Sequence, residues 1–199
     1  MARRANDSGP ETRERALDIA EELVQRRGFN GFSYADIAGR LGITTASLHY
    51  HFPGKAELGR SLIQRYAERF AARLAEIEAA IPGARDRLEA YANLYAALLR
   101  EGRFCLCGVL AAEYETLPAP MQEAVTAFFD QNEAWLTQVL EAGLAEGTLQ
   151  LSGPAAAAAR TIVSGLEGAM LVARPYGEVE RFKAAAVQLL ESLARAAPV

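Results

Sequence analysis

An all-helical fold is predicted for this chain by three observations. Runs of β-branched residues with period-two alternation do not occur in its 199 residues, so nothing reads as a half-buried strand. Apolar residues recur instead at three- and four-residue intervals. Glycine and proline interrupt that periodicity often enough to cut it into about nine helices. The expected arrangement is a three-helix head containing a helix-turn-helix, joined through a long shared helix to a helical body.

The first helix is expected from about Glu11 to Arg27, with Leu17, Ala20, Leu23 and Val24 on one stripe. Gly28 stops it, and Phe29 can fold back onto the core. Ser33-Tyr34-Ala35-Asp36 is a capping-box pattern that opens a short helix through Ile37 and Leu41, which Gly42 breaks. Thr44 can cap a third helix, which ends at Phe52 because Pro53-Gly54 follows. Two short helices around a turn containing Gly42 have helix-turn-helix spacing. Ile37, Ala38, Leu41, Ile43 and Leu48 supply their shared core, completed by the first helix.

A long helix starts near Lys55. Leu58, Leu62, Tyr66, Phe70 and Leu74 recur every four residues, Ile77 and Ile81 continue the face, and Pro82-Gly83 ends it. At 1.5 Å per residue it spans roughly 40 Å, long enough to serve head and body alike. The division is expected at residues 1–54 and 55–199. Further helices are expected at about Ala84–Glu101, Phe104–Tyr114, Ala119–Glu146, Ala155–Ala173 and Glu178–Ala196, separated by Gly102, Pro118/Pro120, Gly147, Gly153-Pro154 and Pro175–Gly177.

Bulk properties narrow the class. The chain is 51% hydrophobic and 23% charged, as globular proteins are. Arg160 interrupts the Ala155–Ala159 run, so no segment is expected to span a bilayer. The basic N-terminal stretch lacks an apolar core and does not read as a secretory signal. A cytoplasmic protein without a membrane partner is expected. The net charge of −4 is unevenly spread, with +2 over residues 1–70 and −6 over the rest, which suits localised contact of the head with an anion.

His49 and His51 are the only histidines. Two apart on a helix, their side chains point about 200° apart and cannot grip one ion, so no metal site is expected. The surrounding stretch carries Thr44, Thr45, Ser47, His49, Tyr50 and His51, all short or flat hydrogen-bonding groups on a helix of two turns. Such groups reach base edges and phosphate oxygens when a helix lies in the major groove. Leu48 and Phe52, four apart, are the inward anchors. Lys55 sits in the first turn of the long helix, where the macrodipole disfavours a cation. A docked phosphate would explain it; a solvated side chain is the plain alternative.

The segment "FSYADIAGRLGITTASLHYHFPGKAEL" resembles the DNA-binding head of TetR/AcrR-type transcriptional regulators. The resemblance rests on Phe32, Ile37-Ala38, Leu41-Gly42-Ile43, Leu48, Tyr50-His51-Phe52, Lys55 and Leu58. His49 and Ala46 depart from the family's usual aromatic and glycine, which bears on base preference. The resemblance implies that Ser33 and Tyr34 contact phosphates, that Thr44, Thr45, Ser47, His49, Tyr50 and His51 face DNA, and that Lys55 holds the backbone. His51 either contacts phosphate or braces the fold. Arg3 and Arg4 form either a DNA-reaching arm or a solvated tail.

The resemblance further implies a homodimer on a near-palindromic operator, repression relieved by a small molecule, and no cofactor. A dimer face through the last two helices would use Ala155–Ala159, Gly165, Gly168 and Ala169 for close approach. Leu166, Met170, Phe182, Leu189, Leu190 and Leu193 would supply its apolar contacts; an internal core is the other reading of the same residues. An effector pocket would draw on the aromatic middle helices: Tyr91, Tyr95, Phe104, Phe128 and Trp135, with Tyr114 and Phe129 nearby in sequence. Glu113 and Glu167 lie on otherwise apolar segments and would orient a polar group.

Cys105 and Cys107 are the only cysteines and are expected reduced. They open the predicted Phe104–Tyr114 helix, where the dipole favours thiolate, and Arg103 is adjacent. A redox or electrophile sensor is one reading, and two small buried hydrophobes the other. No Ser-His-Asp pattern, phosphate-cradling glycine loop or metal cluster appears, so no enzyme is expected. A helical ligand-binding protein without DNA binding is the alternative to the regulator.

Overall fold

A computed structural model describes residues 9–196, with side chains through Ser192; Arg3 and Arg4 lie outside the described residues, as does the side chain of Leu193. Nine α-helices and one short ladder occur in it. They are α1 Pro10–Arg27, α2 Tyr34–Leu41, α3 Thr45–His51, α4 Lys55–Ala80, α5 Ala84–Arg100, α6 Leu106–Ala112, α7 Ala119–Ala145, β1 Leu149–Leu151, α8 Ala155–Ala173, α9 Val179–Leu193 and β2 Ala194–Ala196. Single 3-10 turns follow α6 at Tyr114–Thr116 and α8 at Arg174–Tyr176.

Local chemistry sets the ends of the short helices. Ser33 and Asp36 form both halves of the capping box on α2. Gly42 closes α2 in the left-handed region, at φ 72°, a conformation that costs an L-residue its Cβ clearance. Thr44 Oγ1 accepts from Ser47 N at 3.1 Å, so α3 is capped from its own sequence.

Packing divides the chain elsewhere than after Gly54. One unit takes the residues through Ala67 together with Leu106–Thr126; the other takes Glu68–Cys105 and the residues from Ala127 onward. Both α4 and α7 therefore contribute to each unit. The first turns of α4 join the first unit because Leu58, Leu62 and Ile63 are buried there. In that unit α1 packs on α2 and α6, and α2 on α3. Its core holds Leu17, Leu23, Val24, Ile37, Leu48 and Phe52; Leu41 and Ile43, expected beside them, are only half-buried.

In the second unit α5, α8 and α9 pack together. A methyl group at Gly165 would overlap the Leu189 side chain, so this glycine permits close approach of α8 and α9 within one chain. Leu166, Met170, Phe182 and Leu190 are buried in the same chain. The expectation that these four form an intersubunit face is thereby corrected: the apolar stripe they share is spent on α8–α9 packing. By length and composition Ala155–Tyr176 is apolar enough to cross a membrane, contrary to the reading from Arg160, but its buried stripe packs on α9 and α5.

The ladder was not expected. β1 and β2 pair antiparallel, Leu149 opposite Ala196 and Leu151 opposite Ala194. Helix α9 stops at Leu193 rather than Ala196, because the extended backbone after Gly147 presents groups that a second extended strand satisfies.

Candidate nucleic-acid interface and effector site

Helix α3 presents two contrasting faces. Leu48 and Phe52 are fully buried, while Thr44, Thr45, His49 and Tyr50 are exposed and Ser47 and His51 half-buried. Tyr50 is 75% exposed, unusual for so large a ring. His49 Nδ1 lies 3.2 Å from the Pro53 carbonyl oxygen, to which it donates, and its ring rests 4.6 Å from that of Tyr34. The His51 ring meets Tyr50 edge-on at 5.4 Å. The two histidines thus engage different neighbours.

Ser33 is exposed at the start of α2, its hydroxyl donating to Asp36. Tyr34 is half-buried and donates to the Phe52 carbonyl at 3.0 Å, tying α2 to the end of α3. Burial first, and the Glu57 charge second, push its pKa up to about 12, so it remains a donor throughout the neutral range. Its hydroxyl is engaged inside the head, at the Phe52 carbonyl.

Lys55 departs most from expectation. Its ammonium donates to the carbonyls of Phe29 and Phe32 and lies over both rings, 4.7 and 4.3 Å from their centroids. Burial lowers its pKa, and the charges of Glu113 and Asp36 oppose that shift. The ammonium therefore staples the α1–α2 turn by pairing two of its loop carbonyls. Lys55→Met is expected to cost about 2 kcal/mol of stability through those unpaired carbonyls. Urea unfolding measures the loss. A phosphate contact would instead lower the salt slope of DNA binding by about one and spare stability.

Glu113 belongs to the same turn, not to the aromatic region. Its carboxylate accepts from Phe29 N at 2.7 Å and Asn30 N at 3.4 Å, and Thr116 Oγ1 accepts from Asn30 Nδ2 at 2.8 Å. Sequence reasoning placed it in the pocket because an acidic residue on an apolar stretch looks orienting; its partners lie 83 and 84 residues away. A related brace was missed. Arg65, mostly buried, pairs with Glu14, Asp18 and Glu21 of α1.

In the second unit the expected aromatic residues do assemble. Tyr91 stacks on Trp135 at 5.8 Å and meets Tyr95 at 5.5 Å, while Phe70 sits edge-on to Tyr91, Tyr95 and Phe128. Tyr95 donates to Tyr91 at 3.0 Å, Tyr91 to Asn132 Oδ1 at 3.1 Å, and Asn132 Nδ2 to the Phe128 carbonyl at 2.8 Å. Asn132 was missed; an amide four residues from Phe128 on a buried face was its signal. Phe104 is buried under Arg174, 4.7 Å from guanidinium to ring, at the edge of a cleft of about 170 Å³ that Leu99 and Val179 also line. Tyr114, in the first unit, is exposed.

Glu167 is the electrostatic anomaly. The residue is half-buried, but its Oε1 is enclosed and has no partner. Burial raises its pKa to about 7, against the thiol of Cys105, which donates to the carboxyl and lowers it. Trp135 Nε1 is likewise enclosed and unpaired. An unpaired buried polar group costs roughly 1–3 kcal/mol. Cys105 precedes α6 rather than opening it, Cys107 lies in the first turn, and both are fully buried.

Residues 16–62 match the model of the bacterial regulatory proteins of the tetR family, and residues 69–189 the tetracyclin repressor-like C-terminal domain. The chain belongs to the TetR family. The family's head model covers α2, α3 and the Lys55 staple, and its C-terminal model covers the Tyr91–Trp135 cluster and Glu167. Among relatives, the regulator TtgR of Pseudomonas putida is 35% identical over 68 residues, 34% of this chain and 32% of its own. The match thus spans about a third of that relative. The repressor NemR of Escherichia coli is 27% identical over 82% of this chain and 84% of its own. A TetR-family regulator from Agrobacterium tumefaciens superposes at a TM-score of 0.89 with 37% identity, covering 93% of this chain and 99% of that one. The reduced form of E. coli NemR superposes at 0.83 with 26% identity, over 94% and 100%.

Proposed function

We propose that this TetR-family chain is a ligand-responsive transcriptional repressor of the cytoplasm that binds a near-palindromic operator as a homodimer and leaves it when a small molecule binds. The observation that carries this reading is α3, whose exposed Thr44, Thr45, His49 and Tyr50 stand over a fully buried Leu48 and Phe52. In function, residues 1–54 read DNA, and residues 55–199 hold the effector and the dimer contacts. Ser33 and Tyr34 are assigned to phosphate at the start of α2. Effector contacts are assigned to Tyr91, Tyr95, Phe104, Phe128, Trp135 and Glu167.

A dimer through α8 and α9 is supported by the side chains that the chain itself leaves uncovered. Leu171, Val172 and Val187 are 61%, 58% and 53% exposed, and a methyl at Gly168 would meet only open space. Such residues on two helices suit an isologous four-helix contact.

Selection of bound DNA from random duplexes tests the reading. A dimer presenting two recognition helices selects half-sites roughly 34–36 Å apart, with steep salt dependence. Tyr50→Ala and Thr45→Ala are each expected to lower operator affinity by about ten- to a hundredfold, and Thr45→Ala to change the preferred base. Selection without a symmetric motif, or unaltered affinity in both variants, sinks the assignment. Linkage requires that operator and effector weaken each other's binding by one factor.

A second reading, control by cysteine chemistry, is favoured by the Cys105–Glu167 hydrogen bond, since a carboxylate beside a thiol can take its proton. An electrophile should then release DNA from the wild type and not from Cys105→Ser or Cys107→Ser. Equal release in the double variant returns both residues to the core.

A further inference from the structure

Glu167 Oε1 and Trp135 Nε1 are the enclosed atoms of the second unit that lack a partner among the described residues. One is an acceptor and the other a donor only. Buried polar groups are nearly always paired, so an orphaned acceptor and donor call for a bound group. The Trp135 ring stacks on Tyr91, and Glu167 lies within electrostatic reach of the Tyr91 hydroxyl. The neighbouring hydroxyls have no hydrogen left for Glu167. Tyr95, Tyr91 and Asn132 pass their hydrogens along one line that ends on the Phe128 carbonyl.

Charge selects the kind of group. The influences on the Glu167 carboxyl are its burial and the Cys105 thiol, and no cation of the described residues is among them. A buried carboxylate without a countercharge is stabilised most by an ionised donor. The faces of Tyr91, Tyr95 and Trp135 likewise attract cations. An anion would meet Glu167 and also Glu133, which both act on Tyr91.

We propose that the effector is a flat apolar amine, whose protonated nitrogen donates to Glu167 Oε1 while its ring lies against Tyr91 and Trp135. This rests on the second unit being the effector site. An acceptor elsewhere on the same molecule would take the Trp135 Nε1–H.

Trp135 is the only tryptophan of the chain, so its fluorescence reports on this site alone. Phenethylamine, 2-phenylethanol and phenylacetate share a ring and a spacer and differ in charge. Each is titrated into the full-length protein to millimolar concentration, above the Glu167 pKa of about 7. Phenethylamine is expected to bind at least about tenfold more tightly than the alcohol, and phenylacetate more weakly than either. Glu167→Gln should erase the preference for the amine. Glu133→Gln, which removes the other carboxylate acting on Tyr91, should keep it. Equal binding of amine and alcohol, tighter binding of phenylacetate, an unchanged preference in Glu167→Gln, or no response to any probe each overturns the proposal. Operator binding is measured separately by gel shift without probe. Operator binding without amine preference defeats the ligand class alone; amine preference without operator binding upholds it and defeats the repressor.

Discussion

Glu113→Ala is expected to destabilise the first unit by about 2–3 kcal/mol, the loss of a charge-assisted bond together with the desolvated groups it leaves behind. The carboxylate satisfies Phe29 N and Asn30 N at the turn between α1 and α2. It also lies close enough to Lys55 to support the charge of that ammonium, which holds two carbonyls of the same turn. Removing Glu113 therefore unsettles donors and acceptors together. Urea unfolding followed by far-ultraviolet circular dichroism measures the loss. Gly28 supplies a second arm. It sits at φ 84°, and a methyl there would overlap Glu113 Oε1. Gly28→Ala should be strongly destabilising alone, and Gly28→Ala with Glu113→Ala should cost less than the two losses added, because the clash is gone and only backbone strain remains. Strict additivity, or a Glu113→Ala protein as stable as wild type, would show that the turn does not depend on this carboxylate. Operator affinity should fall with stability, since the turn leads directly into Ser33 and α2.

Glu167→Gln is expected to stabilise the protein, and to do so more at alkaline than at acid pH. The folded-state pKa is raised to about 7 by burial, above the ordinary value of 4.5. A carboxyl raised in this way binds its proton more tightly in the folded state than in the unfolded one. Between pH 4.5 and 7 the folded state holds more protons, so stability falls as pH rises through that window and levels off above it. The shift corresponds to about 3 kcal/mol once Glu167 is fully ionised. The glutamine variant lacks this titration. Its advantage over wild type should therefore be small near pH 5 and grow by roughly 2–3 kcal/mol by pH 8. Chemical denaturation at a series of pH values tests it. Parallel stability profiles for the two proteins would mean that the carboxyl is solvated in solution. A stabilised variant that no longer responds to effector would make Glu167 a place where stability is given up for binding.

Most of the head was legible in the sequence because its signals are local. The Ser33–Asp36 capping box, the left-handed Gly42 and the Thr44 cap act over three or four residues, and all are present in α2 and α3. The split of α3 into Leu48 and Phe52 inside, with Thr44, Thr45, His49 and Tyr50 outside, follows from helical period alone. The same logic identified the buried face of α4, from Leu58 to Ile77.

Polar residues and helix partners were beyond that reach. Period shows which face of a helix is apolar, but not which surface it meets. By period Leu166, Met170, Phe182 and Leu190 suit a core and an interface alike; the packing of α8 on α9 within the chain makes them core. The sequence by itself determined the number and nearly all the limits of the helices, the helix-turn-helix and its outward face, since caps, breakers and period are properties of neighbouring residues. Only the tertiary structure decided where Lys55 and Glu113 spend their charges, that Glu167 keeps an enclosed oxygen without a partner, and that Ala194–Ala196 leaves the helix to pair with Leu149–Leu151. An ionisable side chain takes whichever unsatisfied group folding brings within about 3 Å of it, and for Glu113 that group is a backbone N–H 84 residues away.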